Sequence, residues 1–203
     1  MTRKGVFINF EGIDGCGKDT QISLLTAKLQ NAGKQFFVGL EPTYDSEYGL
    51  RIRRILRHEE AAPSATEMQQ LYVHDRHWHV DRFIKPNLSA GAIVVENRYM
   101  FSTFAFGKAF GVDYELMKKW HADLPVPDLT FYLRLPASEA VTRIKGRGKG
   151  VDYFEKQEKL EKIASAYDQV LSDWKGIKIV DGSQSIDVIH HQVWEEVRGV
   201  LDL

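Results

Sequence analysis

One cysteine, Cys16, stands in a chain of 203 residues. It rules out an intrachain disulfide and fits a reducing compartment. Net charge is nearly absent as well: 27 Lys and Arg face 28 Asp and Glu, giving a formal charge of −1. A dedicated nucleic-acid binder would be strongly basic, so that class is set aside. Long apolar runs are lacking, and no membrane span is expected. A glycine loop begins so close to Met1 that no signal peptide is expected either. Repeats, low-complexity tracts and linkers are also missing. What remains is one ordinary domain over 1–203, long enough to bury a real core and expected in the cytoplasm.

The most informative stretch is V-F-I-N-F-E-G-I-D-G-C-G-K-D-T-Q, from Val6 to Gln21. Val6-Phe7-Ile8-Asn9-Phe10 is short, mostly apolar and rich in β-formers, so it reads as a buried strand. Gly12 to Lys18 fits G-x-x-x-x-G-K, with Gly15 and Gly17 inside the loop. An apolar helical pattern follows through Ile22, Leu24, Leu25 and Leu29. Strand, glycine loop, lysine and helix together are the setting of a phosphate-binding loop. A triphosphate needs several converging N–H donors, and only a loop poor in side chains lets the backbone come that close. The helix N-terminus adds partial positive charge, and Lys18 adds a full one. Cys16 sits where the backbone is the working part, so a reactive thiol is not expected. Asp19 occupies the position of the usual metal-binding Ser or Thr, and Thr20 comes one later. That carboxylate either joins a metal shell or is repelled by the phosphates and points away.

Five strand-like runs alternate with helical stretches: Val6–Phe10, Phe36–Leu40, Ala92–Val95, Leu129–Leu135 and Ile177–Val180. The alternation predicts an α/β fold, a parallel sheet with helices on both faces. Ligands then bind at the carboxyl ends of the strands. Polar residues cluster at those ends, at Glu11, Glu41 and Glu96-Asn97-Arg98.

Further along, Pro42 restricts Glu41 to an extended conformation at the end of the second strand. That carboxylate is either a site residue or part of an ordinary turn. Arg51, Arg53, Arg54 and Arg57 mostly mark a solvated helical face; one of them, taken as Arg53, could reach a substrate phosphate. A helix expected from Ala65 to about Leu88 carries Tyr72 and Arg76 four residues apart, on one face. An aromatic platform beside a guanidinium suits a planar base. The plainer reading makes Tyr72 a core residue and pairs Arg76 with Asp75 or Asp81. His74, His77 and His79 diverge too far around a helix to share a metal. Arg98, at a strand end, is well placed for an anion. From Arg143 to Gly150, four cations are interspersed with three glycines, either a mobile lid able to close on phosphates or a solvated basic loop. A helix is expected over Phe154 to Trp174.

With these pieces assembled, the chain resembles the thymidylate kinases, of the nucleoside monophosphate kinase group of P-loop proteins. The match runs end to end, through F-E-G-I-D-G-C-G-K-D-T-Q, E-P-T, the D-R-H segment, N-R-Y-M-F-S, L-P-V-P-D-L and D-Y-F-E. The resemblance implies a three-layer P-loop kinase fold: a five-stranded parallel sheet flanked by helices, with a short lid over about 143–153. It implies transfer of the γ-phosphoryl of ATP to dTMP with Mg²⁺, by a homodimer. Gly12, Asp14, Gly15, Cys16, Gly17, Lys18, Asp19 and Thr20 would form the ATP loop. Asp14 would also take the 3′-hydroxyl of the acceptor sugar. Tyr72 would stack on the pyrimidine, where the family usually has Phe, and Arg76 would contact its edge. Arg98 would clamp the acceptor phosphate, and Ser102, Phe106 and Tyr153 would complete the pocket. Arg147, or else Arg143, would bring lid charge to the transferring group. Glu41 and Asp19 would lie near the metal, and the Glu41–Pro42 bond is expected to be cis.

Three positions depart from the family pattern. Asp19 replaces a hydroxyl, Asn97 replaces an acid, and Leu40 replaces an arginine that often precedes Glu41. Glu96 points to the opposite strand face from Asn97 and is no obvious substitute. The carboxylate gained at 19 and the one lost at 97 are read as compensating. Gly15 in the loop, with arginines in the lid segment, looks like the lid-arginine style common in bacteria. Two other readings stay open: the same fold acting on another nucleoside monophosphate or a deoxynucleoside, and a nucleotide-binding regulator without turnover.

Overall fold

A computed structural model describes residues 5–146 and 156–203. Among these, five strands form one parallel sheet: β1 (Phe7–Glu11), β2 (Phe36–Leu40), β3 (Ile93–Asn97), β4 (Leu129–Arg134) and β5 (Ile177–Asp181). Their spatial order is β2-β3-β1-β4-β5. β1 lies at the centre, with Phe7 beside Val94 of β3 and Ile8 beside Leu129 of β4. Every residue of β1 and of β3 is buried, as strands covered on both faces require. β2 has the expected bounds and β4 ends one residue early, whereas β1 and β5 run one residue and β3 two residues past the apolar pattern. Ladder hydrogen bonds carry β1 through Glu11 and β3 through Glu96 and Asn97.

The helices are α1 (Lys18–Asn31), α2 (Glu47–Leu56), α3 (Ala65–His79), α4 (Lys85–Ser89) and α5 (Met100–Ala109). They continue with α6 (Tyr114–Trp120), α7 (Ala137–Lys145), α8 (Gln157–Leu171) and α9 (Ile186–Leu201). α1 packs on α9, while α5 packs on α8, α3 and α6. Side chains alternate across the sheet, so Phe7 and Glu11 share the face that meets Tyr99, Ser102 of α5 and Tyr167 of α8. Local chemistry sets several starts. Ser46 and Ser185 cap α2 and α9, and Ser64 with Glu67 forms a capping box on α3.

Two expected elements differ. The helix read from Ala65 to about Leu88 is α3, a π-helical turn over Val80–Ile84, and then α4. Pro86 lacks an N–H and its ring crowds the carbonyl one turn back, so regular α-helical bonding is interrupted there. Phe83, in the wide turn, stacks on Phe37 of β2 with ring centroids 5.6 Å apart. Arg143 and Lys145, read as the start of a lid, belong instead to the last turn of α7. No helix breaker precedes Gly146, and an i,i+4 pair between Glu139 and Arg143 supports that turn. The rest of the segment, with Arg147 and Tyr153, lies outside the described residues.

β2 and β3 come together over a buried acid. The Glu96 carboxylate lies against the backbone of Gly39, where an added Cβ would come within 1.9 Å of Glu96 Oε1. His79 Nε2 stands 3.5 Å from the same oxygen. Burial, and then the nearby Glu41 charge, push the Glu96 pKa well above the usual carboxylate range. Gly39→Ala is therefore expected to destabilise the fold by about 1–3 kcal/mol. Urea or thermal unfolding checks this, at roughly 2–4 °C of Tm per kcal/mol for a domain of this size. An unchanged midpoint would refute the packing account.

Candidate active site

The loop after β1 folds as its glycines require. Gly12 and Gly15 adopt φ of 138° and 86°, a region other residues avoid. A Cβ at Gly12 would meet Leu133 O at 2.7 Å, and one at Gly15 would meet Ala140 O at 2.7 Å. Lys18 turns back into the loop, where its Nζ donates to Gly12 O at 2.9 Å and Ile13 O at 3.2 Å. Cys16 is buried, with Sγ 3.7 Å from Lys18 Nζ. Asp19 and Thr20 are exposed in the first turn of α1. Asp19 Oδ1 accepts from Asn97 Nδ2 at 2.5 Å, so the two unusual residues are in direct contact.

Arg98 closes β3 onto this loop. Its φ is 72°, left-handed backbone that a non-glycine residue adopts at a cost. Its Nη2 donates to Asp14 Oδ1 at 2.7 Å, and its Nη1 donates to Ser102 Oγ and Tyr167 Oη, each at 3.2 Å. The guanidinium also lies 5.2 Å over the Phe106 ring. Burial alone would lower the Arg98 pKa, but Asp14, Tyr167 and Glu11 outweigh it and the net shift is upward. Behind Arg98 lies Glu11, fully buried. Its carboxylate accepts from the backbone N–H of Tyr99 and Ser102, from Ser102 Oγ, Tyr167 Oη and Asn9 Nδ2.

Asp14, Pro42, Tyr72, Arg98, Ser102 and Phe106, all expected site residues, line one cleft of about 140 Å³. Leu56, Gln69 and Thr103 complete the wall and were not anticipated. Gln69 lies one turn before Tyr72 on the same face of α3, which is the signal that sequence spacing offered. Burial pushes the Tyr72 phenol pKa upward, so it keeps its proton.

Arg76 is buried with neither Asp75 nor Asp81 among its partners. Its Nε donates to Glu41 Oε2 at 2.7 Å, and its Nη2 lies 2.6 Å from the same oxygen. Asp75 instead accepts from Thr43 N, Thr43 Oγ1 and Ser46 Oγ, while Asp81 pairs with Lys85. Helical neighbours suggested the wrong acids, because Glu41 arrives from a distant strand end. Arg76 Nη1 donates to Thr103 Oγ1 at 2.8 Å, so it meets the cleft through that residue. Its other neighbour is His121 Nε2, at 2.6 Å. His121 Nδ1 faces Met117 O, so Nδ1 carries the proton and Nε2 accepts. Burial, and then the Arg76 charge, push the His121 pKa down to about 3.

The remaining expected residues lie around this centre. The Glu41–Pro42 bond is cis. The Glu41 N–H donates to Asn97 O at 3.2 Å, but its carboxylate turns inward to Arg76, with His79 Nδ1 at 3.5 Å. Arg53 donates to the carbonyls of Thr43 and Pro42 and lies over the Tyr44 ring. Arg143 pairs with Glu139 and does not line the cleft. The three histidines of α3 part company: His74 meets Tyr48, His77 meets Trp120 O, and His79 lies between Glu41 and Glu96. Among the described residues, no three His, Cys, Asp or Glu side chains form a metal-binding group. No helix there is long and apolar enough to cross a membrane.

The family model described as "Thymidylate kinase" matches residues 10–193. The chain belongs to the thymidylate kinase family. A thymidylate kinase from Desulfotalea psychrophila is 34% identical over 200 residues, covering 98% of this chain and 97% of the relative. A probable thymidylate kinase from Thermococcus kodakarensis is 32% identical, covering 93% and 95%. Among solved structures, the thymidylate kinase of Candida albicans superposes with a TM-score of 0.80 at 25% identity, covering 97% of this chain and 92% of that one. The expected three-layer architecture is the observed one.

Within a thymidylate kinase, an aromatic ring on the cleft wall is where an acceptor base would stack. Tyr72→Ala is expected to raise the KM for the acceptor roughly tenfold and leave that for ATP unchanged. Steady-state kinetics checks it, and an unchanged acceptor KM would return Tyr72 to a packing role.

Proposed function

We propose that the protein transfers the γ-phosphoryl of Mg·ATP to the 5′-phosphate of dTMP, giving dTDP and ADP. One observation carries the reading: in a chain of this family, Arg98 links the P-loop, through Asp14, to an aromatic cleft. Lys18 and the loop N–H groups hold the outer phosphates of ATP. Tyr72 and Phe106 flank the base, and Asp14 accepts a hydrogen bond from the sugar 3′-hydroxyl. Arg98 takes the acceptor phosphate, whose oxygen is already an anionic nucleophile and needs no general base. Catalysis then comes from positioning and from charge placed where the transferring phosphoryl develops it. Arg147, or Arg143, is proposed to add lid charge. A reducing cytoplasm and a homodimer complete the proposal, supported by the single cysteine and by family membership.

Mg²⁺ fits the residues present. Asp19 offers an exposed, hard carboxylate in the first turn of α1, beside Asn97. An ion that keeps several waters and the substrate phosphates needs only one or two such ligands. When bound, Mg²⁺ supplies charge neutralisation across the phosphates. Glu41, whose carboxylate pairs with Arg76, is better suited to fixing the end of β2 than to ligation. The contact between Asp19 and Asn97 supports an exchange of roles, with the acid moved from strand end to loop. Asp19→Ser should then sharply weaken the Mg²⁺ dependence of ATP affinity, read by calorimetry, and adding Asn97→Asp should restore it. A double variant as insensitive to Mg²⁺ as the single one would sink the exchange.

The primary test is ADP release from Mg·ATP with dTMP, dUMP, dGMP, AMP, CMP and thymidine in parallel. Turnover with dTMP well above the rest is the expected result. Preference for another acceptor would keep the fold and redraw the base pocket around Tyr72, Gln69 and Phe106. ATP binding without turnover would favour a regulator.

A further inference from the structure

Tyr167 belongs to no motif, yet its hydroxyl reaches the back of the cleft. Its Oη lies 3.2 Å from Arg98 Nη1, 2.8 Å from Glu11 Oε2 and 2.8 Å from Ser102 Oγ. We propose that Tyr167 is a positioning residue for phosphoryl transfer, its hydroxyl holding the Arg98 guanidinium out at the acceptor cleft. The inference rests on reading Arg98 as the arginine of the acceptor phosphate.

Three observations carry it. The first is what lies behind Arg98. Glu11 is a fully buried carboxylate, and a guanidinium beside it would be drawn into direct contact if nothing stood between. Two hydroxyls stand there. Tyr167 and Ser102 each accept from Arg98 Nη1, and each donates onward to Glu11 Oε2. They pass the attraction along while keeping the two charges apart. The second is how firmly the phenol is held. Its ring stacks on Tyr132 with centroids 5.1 Å apart and meets the Phe106 ring edge-on at 6.4 Å. A side chain wedged on two sides presents its oxygen at a fixed point. The third is the state of Arg98 once substrate is bound. Asp14 holds Nη2 in the free protein. With Asp14 turned to the sugar hydroxyl, the two hydroxyls hold Nη1 by hydrogen bonds while the Phe106 ring packs under the guanidinium, and the backbone is already in a left-handed conformation.

The phenol also stays neutral. Burial, and then the Glu11 charge, push the Tyr167 pKa well above its usual value, so no phenolate competes for Arg98.

The test is a double-mutant cycle of Tyr167→Phe with Arg98→Ala, read by single-turnover transfer rates to dTMP, which remain measurable in slow variants. Tyr167→Phe keeps the ring and both aromatic contacts. It is expected to lower the transfer rate roughly tenfold while the KM for ATP stays within about twofold. On the Arg98→Ala background it should cost less than about twofold, because its target is gone. An equal loss on both backgrounds would overturn the proposal and make Tyr167 a packing residue. So would an unchanged rate, or a loss that tracks a rising KM for ATP or a falling Tm. If the unaltered chain fails to phosphorylate dTMP, the acceptor reading falls and this inference falls with it. Turnover by the unaltered chain with an additive cycle would overturn this inference alone.

Discussion

A carboxylate removed from water must find hydrogen-bond donors and a counter-charge, and Glu11 sets that requirement at the centre of this molecule. It ends the middle strand, fully buried, where the sheet face meets α5 and α8. The donors that satisfy it are the start of α5, through two backbone N–H groups and Ser102, and α8, through Tyr167. The counter-charge is Arg98, reached through hydroxyls. Satisfying one buried acid thus fixes the strand end, two helices and the arginine facing the cleft. A site built this way is held by the core and not by surface loops.

A second buried acid does similar work one strand away. Glu41 follows β2 and is neutralised by Arg76, whose Nη1 reaches Thr103 and His121. His121 is kept neutral there, a condition for accepting from an arginine. The two systems meet along α5, where Ser102 serves the first and Thr103 the second. Adjacent residues on one helix therefore tie both walls of the cleft to different strand ends. A backbone shift in α5 would disturb both networks together.

Much of this was legible in the sequence, and what was not has a common cause. The P-loop and the five strands depend on neighbours in the chain, so spacing reveals them. Tyr72 follows from helical periodicity, and Ser102 from the family resemblance that N-R-Y-M-F-S carries. Arg76 was misjudged because nearby acids on its own helix compete on paper with Glu41, which only the sheet brings close. Tyr167 gave no local sign at all, since it continues the apolar pattern of α8 with Leu160, Ile163 and Val170. Its hydroxyl matters only once β1 and α5 are assembled beside it. Arg143 and Lys145, grouped with the lid segment because its cations looked continuous, finish a helix.

The placement of β1 also governs how the chain reaches its final form. It is made before both of its neighbours in the sheet, β3 and β4. Phe7 waits for Val94 and Ile8 for Leu129. At about 5–20 residues per second of synthesis, an apolar strand with two unpaired edges stays outside the ribosome for several seconds before either partner appears. Early local folding can form α1 and cover one face, but the edges close only through long-range contacts. The strand that carries the glycine loop is therefore completed only by segments distant in the chain.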